Sequence, residues 1–253
     1  MRKKIVAGNW KMFGSRHEAR ALLSGIKHGA AAFSAIDIVV FPSFVHLQET
    51  ETMLAETRIA WGGQNNYIGE SGAFTGEVSV PMLADYGCRY ALVGHSERRL
   101  LFREDLELVS NKFKAVLEYG LQPVLCLGET QAEREKNATE TVIKKQLESV
   151  VEAAGIGAFS RAVIAYEPVW AIGTGLTASP EEAEAVHAMI REQLGKHSVD
   201  VAETMRILYG GSVKPDNAKA LFAMPNIDGG LVGGASLKAE SFLSICDAAA
   251  SLS

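Results

Sequence analysis

The segment Ala162-Val163-Ile164-Ala165-Tyr166-Glu167-Pro168-Val169-Trp170-Ala171-Ile172-Gly173-Thr174-Gly175-Leu176-Thr177-Ala178-Ser179-Pro180-Glu181-Glu182 decides how the chain is read. Its first five residues are an apolar, partly β-branched run, which predicts a buried strand over 162–166. Ser179-Pro180-Glu181-Glu182 is a helix start: Ser179 is placed to cap, Pro180 suits the first helical position, and Glu182 can complete a capping box. Ala183, Val186, Ile190 and Leu194 then recur at steps of three and four, as one buried face of a helix does. Between strand and helix lies a loop that opens on a carboxylate, Glu167, and carries two glycines.

The same unit recurs along the chain. Apolar runs at Lys4–Ala7, Ile38–Phe41, Arg58–Trp61, Tyr90–Val93, Pro123–Leu127, Ala162–Tyr166, Arg206–Tyr209 and Gly230–Val232 are eight strand candidates, most of them separated by segments of helical spacing. Strands joined by helical crossovers make a parallel sheet. No Pro/Ser-rich linker, composition shift or low-complexity tract interrupts the pattern, so residues 1–253 are expected to form one domain. That length is typical of a closed α/β barrel, although the alternation alone also fits an open, doubly wound sheet.

Composition narrows the classes of function. With 47% hydrophobic and 22% charged residues the chain can bury a sizeable core. Its formal charge of -5 argues against a nucleic-acid partner, which requires a basic surface, so any anion site is local. Cys88, Cys126 and Cys246 are too few and too scattered for a disulfide framework, and no Cys-x-x-Cys pair offers zinc ligands. A reducing, cytoplasmic setting is expected. The basic start, Met1-Arg2-Lys3-Lys4, is followed by too short an apolar stretch for a signal peptide, because Asn9 and Lys11 interrupt it. No apolar run approaches 18 residues, so no membrane span is expected.

Polar residues and glycines cluster after the strands: Asn9-Trp10-Lys11, Gly94-His95-Ser96-Glu97, Glu167-Pro168, Gly210-Gly211-Ser212 and Gly233-Gly234. In a barrel these loops meet at one face, where active sites of such folds lie. Taken singly, each residue has an ordinary structural reading: a satisfied histidine, a solvated strand-end acid, a surface lysine. Position adds to them. A helix starting after His95 would disfavour the imidazolium and leave a neutral, proton-donating ring. Apolar Val169 and Trp170 beside Glu167 would raise its pKa toward the range of a general base. Cys126, inside an apolar strand, is read as a small hydrophobe. Asn137-Ala138-Thr139 has glycosylation spacing but is read as helix surface.

Gly173-Thr174-Gly175-Leu176-Thr177-Ala178 matches a G-x-G-x-x-A dinucleotide fingerprint. That fingerprint should follow its strand at once and open a helix, whereas here Pro168 to Ile172 intervene and the helix starts only after Ser179. A glycine loop that closes over a phosphate accounts for the same residues.

Together, Gly8-Asn9-Trp10-Lys11-Met12, Gly72-Ala73-Phe74-Thr75-Gly76-Glu77, Val93-Gly94-His95-Ser96-Glu97-Arg98-Arg99 and Ala165 through Gly175 closely resemble triosephosphate isomerases. So do Tyr209-Gly210-Gly211-Ser212-Val213 and Gly230-Leu231-Val232-Gly233-Gly234-Ala235-Ser236-Leu237. The resemblance runs in family order over essentially the whole chain. It implies a single (β/α)8 TIM barrel and the interconversion of dihydroxyacetone phosphate and D-glyceraldehyde 3-phosphate, with no metal and no cofactor. It further implies that Glu167 is the base, His95 a neutral electrophile and Lys11 the cation, with Asn9, Ser96 and Glu97 in support. Phosphate would be held by backbone groups of Gly173, Ser212, Gly233 and Gly234, with Lys11. The lid would run through Val169, Trp170, Ala171, Ile172, Gly173, Thr174, Gly175, Leu176 and Thr177. A homodimer is implied, with Thr75 reaching the neighbour's site. Leu176 stands where many members have lysine, and Leu106 where aspartate is frequent.

Two other classes stand beside this one: a nicotinamide-dependent oxidoreductase using the glycine segment with Asp200 as its acid, and a silent sugar-phosphate-binding barrel. The first requires a fingerprint differently placed, and the second would be expected to lack one of Lys11, His95 or Glu167.

Overall fold

A computed structural model describes residues 2–172 and 177–252. Eight parallel strands close on themselves in chain order: β1 (Ile5–Asn9), β2 (Asp37–Phe41), β3 (Ala60–Gly63), β4 (Tyr90–Val93), β5 (Gln122–Leu127), β6 (Val163–Tyr166), β7 (Arg206–Tyr209) and β8 (Gly229–Val232). At least one helix follows each strand. This is the (β/α)8 barrel, and the open-sheet alternative is excluded because β1 pairs with β8 as well as with β2.

The expected strands at Tyr90–Val93 and Arg206–Tyr209 coincide with the observed ones, and Arg58–Trp61 is displaced by two residues. The displacement has a steric origin. Gly62 and Gly63, which follow the expected strand, lie inside β3, where a Cβ on Gly62 would stand 2.3 Å from the Tyr90 carbonyl oxygen and 2.7 Å from the Phe41 ring. Only glycine lets β3 and β4 approach there. Asn9, expected just past the first strand, is its last residue.

Both faces of the strands are covered, which is why they read as continuous apolar runs. Side chains of alternate residues, such as Ile5 and Ala7, Val124 and Cys126, fill the barrel interior. Their neighbours, Val6, Leu125 and Leu127, pack outward against the helices. Cys126 is fully buried, with its thiol pushed well above its ordinary value by that burial, as a structural hydrophobe requires.

The helix starts follow local chemistry. Ser179 and Glu182 form the expected capping box on the helix Pro180–His197. Asp105 caps the helix Leu106–Glu118 by accepting from the Leu108 N–H, so that start is secured one residue before Leu106. Asn137 departs from expectation: it sits at φ 53° in the turn before the helix Thr139–Ala154, a left-handed position that asparagine tolerates and a helix surface would not supply. Among the described residues no helix is long and apolar enough to cross a membrane.

His187 projects from the helix Pro180–His197 into the layer between helix and barrel, edge-on to Tyr166 at 5.8 Å between ring centres. Burial lowers its pKa to about 3, with the Arg191 charge adding to the effect and the Asn226 carbonyl opposing it. The unfolded chain therefore takes up a proton near pH 6.5 that the native state refuses until near pH 3, so native stability falls as pH drops through that window. His187→Gln should narrow the difference in urea-unfolding free energy between pH 7 and pH 5 by on the order of 2 kcal/mol, measured at fixed protein concentration. An undiminished difference would rule out this residue as the source.

Candidate active site

The C-terminal ends of the strands open into a cavity of about 760 Å³. Asn9, Lys11, His95, Glu167, Ser212, Gly233 and Gly234 all line it, although they come from β1, β4, β6, β7 and β8 or the loops after them. Ala171 and Ile172 line its edge. Gly173, Thr174, Gly175 and Leu176 lie outside the described residues, so the expected phosphate contact at Gly173 and the middle of the expected lid have no described geometry.

Lys11 is held by its backbone. It lies at φ 52°, a costly conformation for a residue with a β-carbon. Its N–H donates to Asn9 Oδ1 at 3.0 Å, and its carbonyl accepts from Ser43 Oγ and from Gln64 Nε2, each at 2.8 Å. Lys11 Nζ donates to Glu97 Oε1 at 2.5 Å, which draws the ammonium toward β4. Asn9 thus supports the site through the lysine backbone. Ser43 and Gln64 were not singled out in the sequence. Gln64 carried the available signal, a polar residue immediately after a strand.

His95 caps the helix Ser96–Leu101, and its Nδ1 accepts from the Glu97 N–H at 3.3 Å. A nitrogen that accepts keeps its lone pair, so this contact leaves the ring proton on Nε2. Nε2 stands 2.8 Å from Glu167 Oε1, off the line of a well-formed hydrogen bond. The other carboxylate oxygen, Oε2, accepts from the Ser96 N–H at 2.8 Å. Ser96 and Glu97 are therefore placed as supports, the first through its backbone.

The electrostatics of this pair differ from the sequence expectation. Burial pushes the Glu167 carboxyl up, but His95, the Ser96 N–H and Lys11 together hold it below the ordinary carboxylate value. The Trp170 indole is turned away, donating to Glu129 Oε1 at 3.0 Å with the Arg134 guanidinium 4.3 Å from its ring centre. Burial likewise pushes the His95 imidazole down, yet the Glu167 and Glu97 carboxylates raise it above the ordinary histidine value in this arrangement. Each partner favours the charged form of the other.

Glu129 is a further unanticipated partner. Fully buried, it also accepts from the Tyr166 hydroxyl at 3.1 Å, and its backbone carbonyl accepts from the Val169 N–H at 3.2 Å. It thereby ties down Val169 and Trp170 at the start of the expected lid. Thr177 is exposed at the lid's other end, and Thr75 lies on an exposed loop and does not line the cavity of its own chain.

The sequence model of the triosephosphate isomerase family matches residues 4–249. The chain belongs to the triosephosphate isomerase family. It is 55% identical over 250 residues to a triosephosphate isomerase of Thiobacillus denitrificans, spanning 99% of this chain and 100% of that one. It is 53% identical over 249 residues to that of Dechloromonas aromatica, spanning 98% and 100%, and 52% identical over 248 residues to that of Nitrosomonas europaea, spanning 98% of each. The chain's activity is that of the family, an aldose–ketose isomerisation between two triose phosphates. The oxidoreductase alternative also fails locally: β6 ends at Tyr166, seven positions before Gly173, and among the described residues the next helix of four or more residues starts at Pro180.

Since His95 is a principal cause of the depressed Glu167 pKa, His95→Gln should raise it, leaving burial less opposed. Titration of a ¹³C-labelled Glu167 carboxyl by NMR in the ligand-free protein is the measurement. A midpoint that stays put would show that the two groups are not coupled in solution.

Proposed function

We propose that Glu167, His95 and Lys11 carry the isomerisation in this chain. The carrying observation is their convergence from three separate loops on one cavity, with the two buried members 2.8 Å apart. Glu167 takes a proton from the carbon next to the substrate carbonyl, and the electron pair moves into the new carbon–carbon double bond as the carbonyl oxygen becomes an oxyanion. His95 Nε2–H and the Lys11 ammonium stabilise that oxyanion. After proton movement between the two substrate oxygens, Glu167 returns its proton to the neighbouring carbon. No electrons leave the substrate, so the proposed route requires no redox cofactor, and His95 and Lys11 take the oxyanion-stabilising part that a metal ion would otherwise play. A substrate carbonyl lying between His95 and Glu167 would separate them, remove the influence that raises the imidazole, and favour the neutral ring that can donate.

Ser212, Gly233 and Gly234 are proposed to receive the phosphate with their backbone N–H groups, helped by Lys11; Gly234 opens a short 3-10 helix, Gly234–Leu237, at the cavity wall. Residues 169–177 are proposed as a lid on the same sequence grounds given above, supported by the anchoring of Val169 and Trp170 on Glu129. The whole of residues 1–253 is proposed as one catalytic domain, because the barrel closes only with strands from both ends of the chain. Three buried free thiols fit a cytoplasmic setting.

Glu167→Gln should lower kcat by several orders of magnitude, as loss of a positioned proton-transfer group does, when conversion of glyceraldehyde 3-phosphate is followed without added nucleotide or metal. A rate near that of the unaltered chain would sink the assignment.

A homodimer is proposed as the working form. Its support is the exposure of large apolar side chains on segments after three of the first four strands: Met12 and Phe13 after β1, Phe74 and Met82 after β3, Leu101 and Phe102 after β4, with Met12 93% and Leu101 73% exposed. Thr75 lies among them and would enter the second copy's site. Light scattering at assay concentration should give twice the chain mass, and a fully active monomer would contradict the proposal.

A further inference from the structure

Behind Glu167, on the side away from the catalytic cavity, lies a second, smaller cavity of about 150 Å³ bordered by Arg99, Gly128, Gln146 and Val169. On that side Glu167 packs against the bare backbone of Gly128 beside open space, so its position depends on that one contact and on directional bonds. Besides the Ser96 N–H on the carboxylate, two of those bonds run to the residues on either side of Gly128. The Glu167 N–H donates to the Leu127 carbonyl at 2.7 Å, and the Val169 N–H donates to the Glu129 carbonyl at 3.2 Å. Between them, Gly128 lies directly against Glu167: a Cβ there would stand 1.9 Å from the Glu167 carbonyl oxygen and 3.3 Å from its Cβ.

The peptide groups of Gly128 are engaged by one side chain. Gln146, on the helix Thr139–Ala154, accepts from the Gly128 N–H through Oε1 at 2.9 Å and donates to the Gly128 carbonyl through Nε2 at 3.0 Å. A primary amide is the side-chain group that matches a peptide N–H and C=O together, and the pair of bonds fixes both distance and orientation. Ile143 and Leu147, on the same helix, are buried in the outer core, so the helix that carries the clamp is itself anchored.

We propose that Gln146 is a positioning residue for the isomerisation, clamping Gly128 so that Glu167 is held at its working place on the rim. This rests on Glu167 being the base. Gln146 touches no part of the catalytic cavity and acts only through the loop after β5. Loss of the clamp frees Gly128 to recede toward the smaller cavity, and a base displaced by a fraction of an ångström loses rate while the phosphate contacts on β7 and β8 stay as they were.

The test compares Gln146→Ala, Gln146→Glu and Glu167→Gln with the two double variants, folding being checked by circular dichroism. Gln146→Ala should lower kcat about tenfold with KM changed less than about twofold, and Gln146→Glu, which can accept from Gly128 but not donate, should fall between. In the Glu167→Gln background neither change should lower the residual rate further, because the group being positioned is gone. If Gln146→Ala does not fold, the Glu variant in both backgrounds answers the same question. An equal loss in both backgrounds would make Gln146 a general structural residue and overturn the proposal, as would an unchanged kcat in the Glu167-containing protein. A Glu167→Gln variant that kept its rate would remove the base assignment itself, whatever Gln146 does.

Discussion

The seam between β1 and β8 is the contact on which the rest of the molecule depends. Ile5 pairs with Gly229 and Val6 with Gly230, and at Gly229 the backbone takes φ +127°, where a Cβ would stand 1.9 Å from the Ile5 carbonyl oxygen. Next to it, Asp228 is buried and joins four parts of the barrel floor. Its carboxylate accepts from Arg2 and Arg191, each at 2.7 Å, and from the Ile207 N–H, while its carbonyl accepts from the Ile5 N–H. The first and last strands are thus joined by glycine's lack of a side chain and by one fully used carboxylate. Without closure the strand ends would fan out along an open edge, and residues as far apart as Asn9 and Gly233 would not share a cavity.

Closure also explains which features were legible in the sequence. Strands covered on both faces appear as short apolar runs, so all eight could be found, and Tyr90–Val93 and Arg206–Tyr209 matched to the residue. Where glycines entered a strand the reading slipped, because Gly62-Gly63 has the composition of a turn and its strand role is set by Phe41 and Tyr90, residues distant in the chain. The site residues Asn9, Lys11, His95, Glu167, Ser212, Gly233 and Gly234 were legible because each is polar or small at the end of an apolar run. Apart from Ser96 and Glu97, their supports were not. Gln64, Ser43, Glu129, Arg134 and Gln146 act across sequence separations of 18 to 53 residues in the bonds described, and no periodicity encodes which loop a helix side chain will reach.

The protonation of the site was likewise beyond local reading. From the sequence, an acid beside Val169 and Trp170 should be raised by burial, and burial does act in that direction. It is outweighed because the barrel brings His95 and the Ser96 N–H, from the loop after β4, and Lys11, from the loop after β1, to the same carboxylate. Between side chains as buried as Glu167 and His95 such interactions are weakly screened, so a few contacts decide the sign.

That sign bears on how the site must work. Resting, the Glu167 carboxylate accepts from the Ser96 N–H and has His95 Nε2 2.8 Å from its other oxygen, which together with Lys11 hold its pKa down and make it a stable anion and a weak base. As the proposed base it has to lose some of that stabilisation when the substrate arrives, and the substrate carbonyl alone is a poor competitor for a charged, buried partner. The phosphate is the part of the substrate with interaction energy to supply, and Ser212, Gly233 and Gly234, the groups proposed to hold it, stand on β7, β8 and their loops, apart from Glu167 on β6. Binding energy at the non-reacting end of a ligand can drive such a rearrangement at the reacting end. A rigid backbone under Glu167 is then a requirement: if the loop after β5 yielded, the phosphate contacts would move the floor of the site instead of the carboxylate.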